Sequence, residues 1–142
     1  GDNFDSRSSH VIPAIVGRLW EARRSGAPRV TLWGDGSPTR DFLYVVDAAE
    51  AIVRATECYD GFEPVNVGTG RDIRIHDLAR LIAAEVGYAG TICWDRNRPN
   101  GQPRRCLNIH RARHLFGFES SIRIEDGIRL TVDWCRKTWP GA

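Results

Sequence analysis

The order of hydrophobic and polar residues divides the chain into segments of helical and of strand-like period. Apolar residues spaced three and four apart predict amphipathic helices near both ends of the chain and in its second half. One of these helices stops at Gly87, which is placed as a C-terminal cap. The predicted inward stripes are Val11, Ile12, Ile15, Val16, Leu19 and Trp20; Ile75, Leu78, Leu81, Ile82 and Val86; and Ile124, Ile128, Val132 and Cys135.

Two further helices and four strands complete the pattern. Asp47 and Glu50 have the spacing of a capping box, so a helix is predicted from Asp47 to about Cys58, and a short one over residues 109–115. Apolar runs bounded by turn residues predict strands at 30–33, 41–46, 65–67 and 91–94. The turn at 34–38 lets the first two strands form a hairpin or lie as adjacent extended segments. Because strands and helices alternate, the predicted fold class is α/β.

Composition narrows the classes of protein that fit. The 142 residues are 42% hydrophobic and 27% charged, which is typical of one globular domain spanning 1–142 and excludes disorder. A net charge of +2 gives no reason to expect a nucleic-acid partner. No apolar run approaches the roughly 18 residues of a membrane span, and no signal peptide is recognisable, so we expect a cytoplasmic protein with no membrane partner.

Arginine dominates the basic residues, since Lys137 is the one lysine among twenty. Coding bias is one explanation, and placement for phosphate contact is the other, because the planar guanidinium binds phosphate in two-point fashion. A loop stiffened by Pro99 and Pro103 concentrates four of them, which suits an anionic ligand. They are Arg96, Arg98, Arg104 and Arg105.

The cysteines predict no metal site. Cys58 and Cys135 fall within apolar helical patterns, which favours buried thiols. Cys106, His110 and His114 would face one way on a continuous helix, but a strand end and a helix cap at 107–108 break that row, and no carboxylate completes a zinc site.

Two positions could carry chemistry. His10 directly precedes a helix, where an imidazole can act as acid or base, although a solvated loop histidine has the same pattern. Gly34 and Gly36 allow close approach of the backbone to a ligand, and Arg40 follows where it could clamp a phosphate. A hairpin turn carrying a surface arginine is the alternative at this second position.

Five motifs follow one another along the chain in the order found in one enzyme family. Together they resemble the C-terminal, substrate-binding part of an extended short-chain dehydrogenase/reductase, a Rossmann-type fold of the NAD-dependent epimerase/dehydratase family. The motifs are Gly1-Asp2-Asn3-Phe4, Ser9-His10-Val11-Ile12-Pro13, Trp33-Gly34-x-Gly36-Ser37-Pro38-x-Arg40, Asn66-Val67-Gly68-Thr69-Gly70, and Trp94-Asp95 with Arg98-Pro99-x-Gly101-x-Pro103.

The resemblance implies a site for a nucleotide diphosphate sugar, with a GDP-sugar expected. In that family the residue matching His10 is an acid/base in epimerisation, and the residue matching Arg40 contacts the pyrophosphate. Arg18 and Arg98 match further anion contacts, and Trp33 is expected to line the pocket. Where the family has Lys-Pro-Asp-Gly, this chain has Arg98 followed by Pro-Asn-Gly, so the charge is kept and a carboxylate is lost.

The resemblance also implies that this sequence is incomplete for catalysis. The family's Gly-rich dinucleotide loop is not found, and Asp133 stands four residues before Lys137 where a Tyr-x-x-x-Lys pair would need tyrosine. We therefore expect no cofactor to be bound by this chain alone, and NADP or NAD in the complete family enzyme. The chain is then a half that needs an N-terminal dinucleotide-binding partner, or a free-standing module that forms a homodimer, or a remnant without activity.

Overall fold

The computed structural model describes Asn3 and residues 9–138, and its elements alternate between helices and short strands. The helices are α1 (Val11–Ser25), α2 (Val45–Cys58), α3 (Ile75–Val86), α4 (His110–Phe116) and α5 (Ile124–Thr138). The strands are β1 (Arg29–Trp33), β2 (Thr39–Asp41), β3 (Asp72–Arg74), β4 (Thr91–Asp95) and β5 (Arg104–Arg105). The predicted α/β class is confirmed.

The strands form two small sheets. β1 pairs with β4 in parallel, in a register that runs from Arg29 opposite Thr91 to Trp33 opposite Asp95. In the second sheet β2 is central, antiparallel to β3 and parallel to β5. Because β1 and β4 are parallel, their carboxyl ends meet at one edge, and the loops that follow both strands lie together there.

Two apolar clusters hold these elements. The larger joins α1, α3 and α5 to β1, with Leu19, Leu78 and Val132 fully buried. Each buried side chain of this kind contributes about 1.5 to 3 kcal/mol. The smaller cluster lies between α2 and α4 around Phe118, which is also fully buried. As predicted, α3 ends at Gly87, whose φ of 76° is left-handed backbone that glycine adopts without strain.

Helix α2 turns an apolar face to solvent. Val45, Val46, Ile52 and Val53 are between 56% and 68% exposed, while Ala51 on the opposite face is buried. Positions 45, 46, 52 and 53 lie on one side of a helix with 3.6 residues per turn, so they form a contiguous patch, which we call the α2 apolar face. A patch of this kind is typical of a surface that another polypeptide covers.

The predicted strand at 41–46 is wrong, and of the two arrangements left open for the first two strands the hairpin does not form. The strand ends at Asp41, and the apolar residues after it enter helix α2 at Val45. A short apolar run has the same appearance in a buried strand and at a helix entrance, so periodicity could not separate the two. β1 does not pair with β2; it pairs with β4, more than fifty residues further along the chain.

Asp47 does not cap α2, because the helix begins two residues earlier. Its carboxylate is 1% exposed and accepts hydrogen bonds from the hydroxyl and backbone N–H of Ser121, at 2.8 and 3.1 Å, and from the N–H of Ile122 at 3.0 Å. A buried carboxylate is stable in this setting because three donors replace its water. Asp47 therefore ties α2 to the segment that leads into α5.

Two smaller predictions also fail. Residues 65–67 form no strand, although Val65 and Val67 pack against the smaller cluster. Cys58 is exposed, because it ends α2 on its solvent side, whereas Cys135 is buried as predicted. In the part of the chain that the structure describes, no helix is both long and apolar enough to cross a membrane.

Candidate functional site

The carboxyl edge of the β1–β4 pair gathers most of the residues that the sequence singled out. The N–H of Gly34 donates to the carbonyl of Asp95 at 2.9 Å, which extends the pairing one residue beyond the strands. The turn at 34–38 and the loop at 96–103 leave the sheet side by side from this point. Ligands of α/β proteins commonly bind outside the carboxyl ends of parallel strands, where loops rather than packed elements face solvent.

Trp33 ends β1 at this edge, and two arginines lie near its ring. Its indole is 59% exposed, and the guanidinium carbons of Arg18 and Arg98 lie 5.4 and 5.2 Å from the ring centroid. Each cation–π contact contributes about 0.5 to 1 kcal/mol at an exposed site. Arg18 reaches the ring from α1 and donates to the carbonyl of Thr31 at 3.0 Å. The result is an exposed aromatic surface with two fixed positive charges.

Arg98 is held on the loop side. Its Nε lies 3.8 Å from a carboxylate oxygen of Asp95, and its backbone N–H donates to the Asp95 carbonyl at 3.1 Å. The guanidinium remains 57% exposed, so it keeps donors free for a ligand. We refer to Arg18, Trp33 and Arg98 as the tryptophan clamp.

Arg40 approaches the same loop from the second sheet. Its Nη1 donates to the carbonyl of Thr39 at 2.7 Å. A Cβ placed on Gly101, whose φ is +73°, would lie 3.5 Å from Nη2 of Arg40. Arg40 therefore lies against the loop that carries Arg98.

His10 is separate from this group. It is exposed, has extended backbone, and directly precedes α1, where its carbonyl accepts the N–H of Ala14 at 3.0 Å. Eight residues of helix place Arg18 about 12 Å further along the axis, at 1.5 Å per residue.

The four arginines at positions 96, 98, 104 and 105 are divided between the two sheets. Arg104 makes a two-point contact with Asp72, with Nε and Nη2 at 2.9 and 3.2 Å from the carboxylate, and Thr39 donates its hydroxyl to the same group. These donors, Arg104 first, lower the pKa of Asp72. Arg104 is thus engaged within the protein, and Arg98 is the loop arginine that faces Trp33. Sequence proximity alone could not show this division.

Asp41 is a structural carboxylate that the sequence interpretation missed. Its oxygens accept the N–H groups of Thr69 and Gly70, both at 3.0 Å, and the hydroxyl of Thr69 at 2.6 Å. The backbone donors of the glycine turn at 68–70 are therefore used inside the protein. The sequence feature that could have identified Asp41 is its position next to Arg40 on one strand, because adjacent strand residues place their side chains on opposite faces of the sheet.

No metal centre is formed by the residues the structure describes, since no three His, Cys, Asp or Glu side chains are grouped for one. Helix α4 begins at His110, so Cys106 stands outside the helical row with His110 and His114. The two histidine rings stack at 6.3 Å. Burial, with the carboxylates of Asp41 and Asp72 nearby, raises the pKa of the Cys106 thiol.

Known proteins match the chain over nearly its full length. Residues 1–68 match the NAD dependent epimerase/dehydratase family. GDP-L-fucose synthase 1 of Arabidopsis thaliana is 40% identical over 136 residues, which cover 96% of this chain and 42% of that protein. GDP-L-fucose synthase of Escherichia coli (strain K12) is 40% identical over 142 residues, which cover 94% of this chain and 44% of that protein. The chain therefore spans less than half the length of these relatives.

The fold, like the sequence, is similar to part of a longer known protein. A crystal structure of a GDP-L-fucose synthetase from Naegleria fowleri bound to NADP is 25% identical and superimposes with a TM-score of 0.91, over 97% of this chain and 43% of that one. The resemblance to the NAD-dependent epimerase/dehydratase family that the motifs predicted is thus confirmed, with an α/β fold that matches a part of GDP-L-fucose synthases.

Proposed function

We propose that residues 1–142 are the nucleotide-sugar-binding domain of an NAD(P)-dependent epimerase/reductase that acts on a GDP-sugar. The observation that carries this proposal is the tryptophan clamp at the carboxyl edge of the β1–β4 pair. Two guanidiniums fixed beside an exposed indole offer charge-assisted hydrogen bonds to a diphosphate and an apolar surface to the remainder of the ligand. The similarity to GDP-L-fucose synthases supports the choice of a GDP-sugar.

Each residue then has a distinct role. Arg98 and Arg18 bind anionic oxygens beside Trp33, and Arg40 binds the pyrophosphate beside Gly101. His10 is the acid/base of epimerisation: it takes the proton from a carbon next to the sugar ketone, or returns one to it. Its separation from the tryptophan clamp fits a ligand whose sugar and diphosphate lie several ångströms apart.

The described residues do not fit a dinucleotide cofactor. Their closest approach to a glycine-rich phosphate loop is the turn at 68–70, and the N–H groups of Thr69 and Gly70 are already donated to Asp41. No hydride step is therefore assigned to this chain. We propose that the NAD(P) site belongs to a polypeptide outside these 142 residues, which span about two-fifths of their relatives.

A second candidate is a free-standing module that pairs with itself. The α2 apolar face favours it, because four exposed aliphatic side chains on one helix suit either a second copy or the missing half. Sedimentation of the purified chain at several concentrations tests this alternative. A dimer that Val53→Glu dissociates supports it, and a monomer at all concentrations contradicts it.

Titration calorimetry at low salt tests the first proposal. We expect heat from GDP, less from UDP and dTDP, and none from NADPH. Arg40→Ala should weaken GDP binding by about 1 to 3 kcal/mol, the range of a lost charge-assisted hydrogen bond. Arg24→Ala is the matched control, because Arg24 is an exposed arginine that pairs with Glu21 on α1. Equal affinity in both variants contradicts the proposal.

A further inference from the structure

Asn100 joins the two loops of the candidate site through one side chain. Its Oδ1 accepts the backbone N–H of Asp35 at 2.8 Å, across 65 residues of sequence. Asp35 lies two residues after Trp33, and Asn100 lies two residues after Arg98. This hydrogen bond therefore links the turn after β1 to the loop after β4, two residues beyond the contact between Trp33 and Arg98.

The turn is shaped to admit this side chain. Gly34 has a φ of +80°, and a Cβ on it would lie 2.2 Å from Oδ1 of Asn100. No side chain could occupy that space while Asn100 keeps its position. Gly34 thus provides both the left-handed backbone of the turn and the opening through which the Asn100 amide reaches the chain.

The partner of Asn100 is itself charged. The Asp35 carboxylate accepts the backbone N–H and the hydroxyl of Ser37, at 2.9 and 2.6 Å. The pKa of Asp35 is lowered, first by Ser37 and to a smaller degree by the Asn100 amide and the Arg96 guanidinium. An amide suits position 100 because its oxygen accepts the N–H of residue 35 and the group carries no negative charge. A carboxylate there would place two negative charges side by side.

We propose that Asn100 is a positioning residue for the diphosphate site, holding the Arg98 loop against the Trp33 turn through the hydrogen bond that its Oδ1 accepts from the backbone N–H of Asp35. This inference rests on the proposed function, since it assigns Asn100 to the same site. Asn100 does not need to touch the ligand. It acts by fixing the distance between the Arg98 guanidinium and the indole, so that the donors are in place before the ligand arrives.

The first test removes the contact without changing charge. We expect Asn100→Ala to weaken GDP binding five- to tenfold and to accelerate amide exchange of Asp35 at least tenfold. Asn97→Ala is the matched control, because Asn97 lies on the same loop and engages Asp95 through its backbone N–H. Amide exchange needs no ligand, so unchanged exchange at Asp35 overturns the inference whether or not GDP binds. Faster exchange with unchanged GDP affinity overturns the positioning role.

The second test exchanges the two side chains. We expect Asn100→Asp to weaken GDP binding more than tenfold, and the double variant Asp35→Asn/Asn100→Asp to return within threefold of the wild type. Asp35→Asn alone should change affinity less than twofold, since the backbone N–H of residue 35 still donates to Asn100. Asp35→Asn alone could instead strengthen GDP binding by the same factor by which it restores binding to the Asn100→Asp variant. The change in charge alone would then explain the effect, and the inference fails. Absence of GDP binding in the wild type overturns the proposed function, and the exchange rate then decides whether the contact between the loops exists.

Discussion

Trp33 and Asp95 face each other at the last paired position of β1 and β4, and each is linked to Arg98. A carboxylate oxygen of Asp95 lies 3.8 Å from Nε of Arg98, and the centroid of the Trp33 ring lies 5.2 Å from its guanidinium carbon. A parallel pair of strands thus brings an aromatic surface and a carboxylate to one loop arginine. The site is fixed at the point where the sheet ends, and not by the loops alone.

Replacement of Arg98 by lysine separates charge from shape. Lysine keeps the positive charge but has neither the flat surface that lies over the indole nor two-point donors. We expect Arg98→Lys to retain part of the GDP affinity and Arg98→Ala to lose about 1 to 3 kcal/mol of binding free energy. Calorimetry measures the GDP affinity of the two variants. Arg129→Lys, which replaces an exposed arginine of α5, is the control. Full affinity in Arg98→Ala would remove Arg98 from the site.

The buried carboxylate of Asp47 should be important for stability. Asp47→Ala leaves the hydroxyl and N–H of Ser121 and the N–H of Ile122 without their acceptor in a buried setting. We expect the free energy of unfolding in urea to fall by about 2 to 4 kcal/mol. Asp126→Ala, which removes an exposed carboxylate paired with Arg129 on α5, should change it by less than about 0.5 kcal/mol. Equal effects in the two variants would show that the Asp47 contacts do not stabilise the fold.

The sequence predicted the helices well because α1, α3 and α5 each bury a stripe of helical period, and Gly87 ends α3 with left-handed backbone. It failed at residues 41–46, where one apolar run serves a strand end and a helix start. It also failed at Asp47, whose acidic side chain near a helix start resembles a cap but binds Ser121. That partner is 74 residues away, and nothing in local spacing shows it.

The arrangement of the candidate site could not be predicted from the sequence. Motif positions predict Trp33, Arg40 and Arg98 as site residues, and their role stays a prediction. The contact of Arg18 with Trp33 depends on how α1 packs beside β1. The engagement of Arg104 with Asp72 depends on the pairing of β2 with both β3 and β5. Such contacts arise between elements distant in sequence, so residue pattern carries no record of them.

The pH dependence of stability should show the contribution of Asp72. Its pKa in the folded chain lies below the ordinary value of 3.8, because Arg104 and Thr39 stabilise the ionised form. Its stabilisation is therefore complete above pH 3.8 and is lost as the pH falls through the lower, folded-state pKa. We expect Asp72→Asn to flatten the loss of unfolding free energy as the pH falls below 3.8. An acid profile parallel to that of the wild type would contradict this assignment.

The cysteines should differ in reactivity. Cys58 is exposed at the end of α2, while burial and nearby carboxylates raise the pKa of Cys106, and Cys135 is buried. Because the thiolate is the nucleophile, iodoacetamide at pH 8 should modify Cys58 at least about tenfold faster than Cys106 or Cys135. Peptide mass spectrometry after timed labelling measures each rate. Equal labelling of Cys58 and Cys106 in folded protein would contradict the described environment of Cys106.

The most direct measurement is nuclear magnetic resonance of the ¹⁵N-labelled chain during titration with GDP, following the tryptophan indole and arginine side-chain N–H signals. The account predicts that the Trp33 indole and the Nε–H groups of Arg18 and Arg98 shift together with one dissociation constant, while the indole of the buried Trp20 stays in place. Shifts confined to other surfaces, or none at saturating GDP, would contradict the claim that the tryptophan clamp binds the diphosphate.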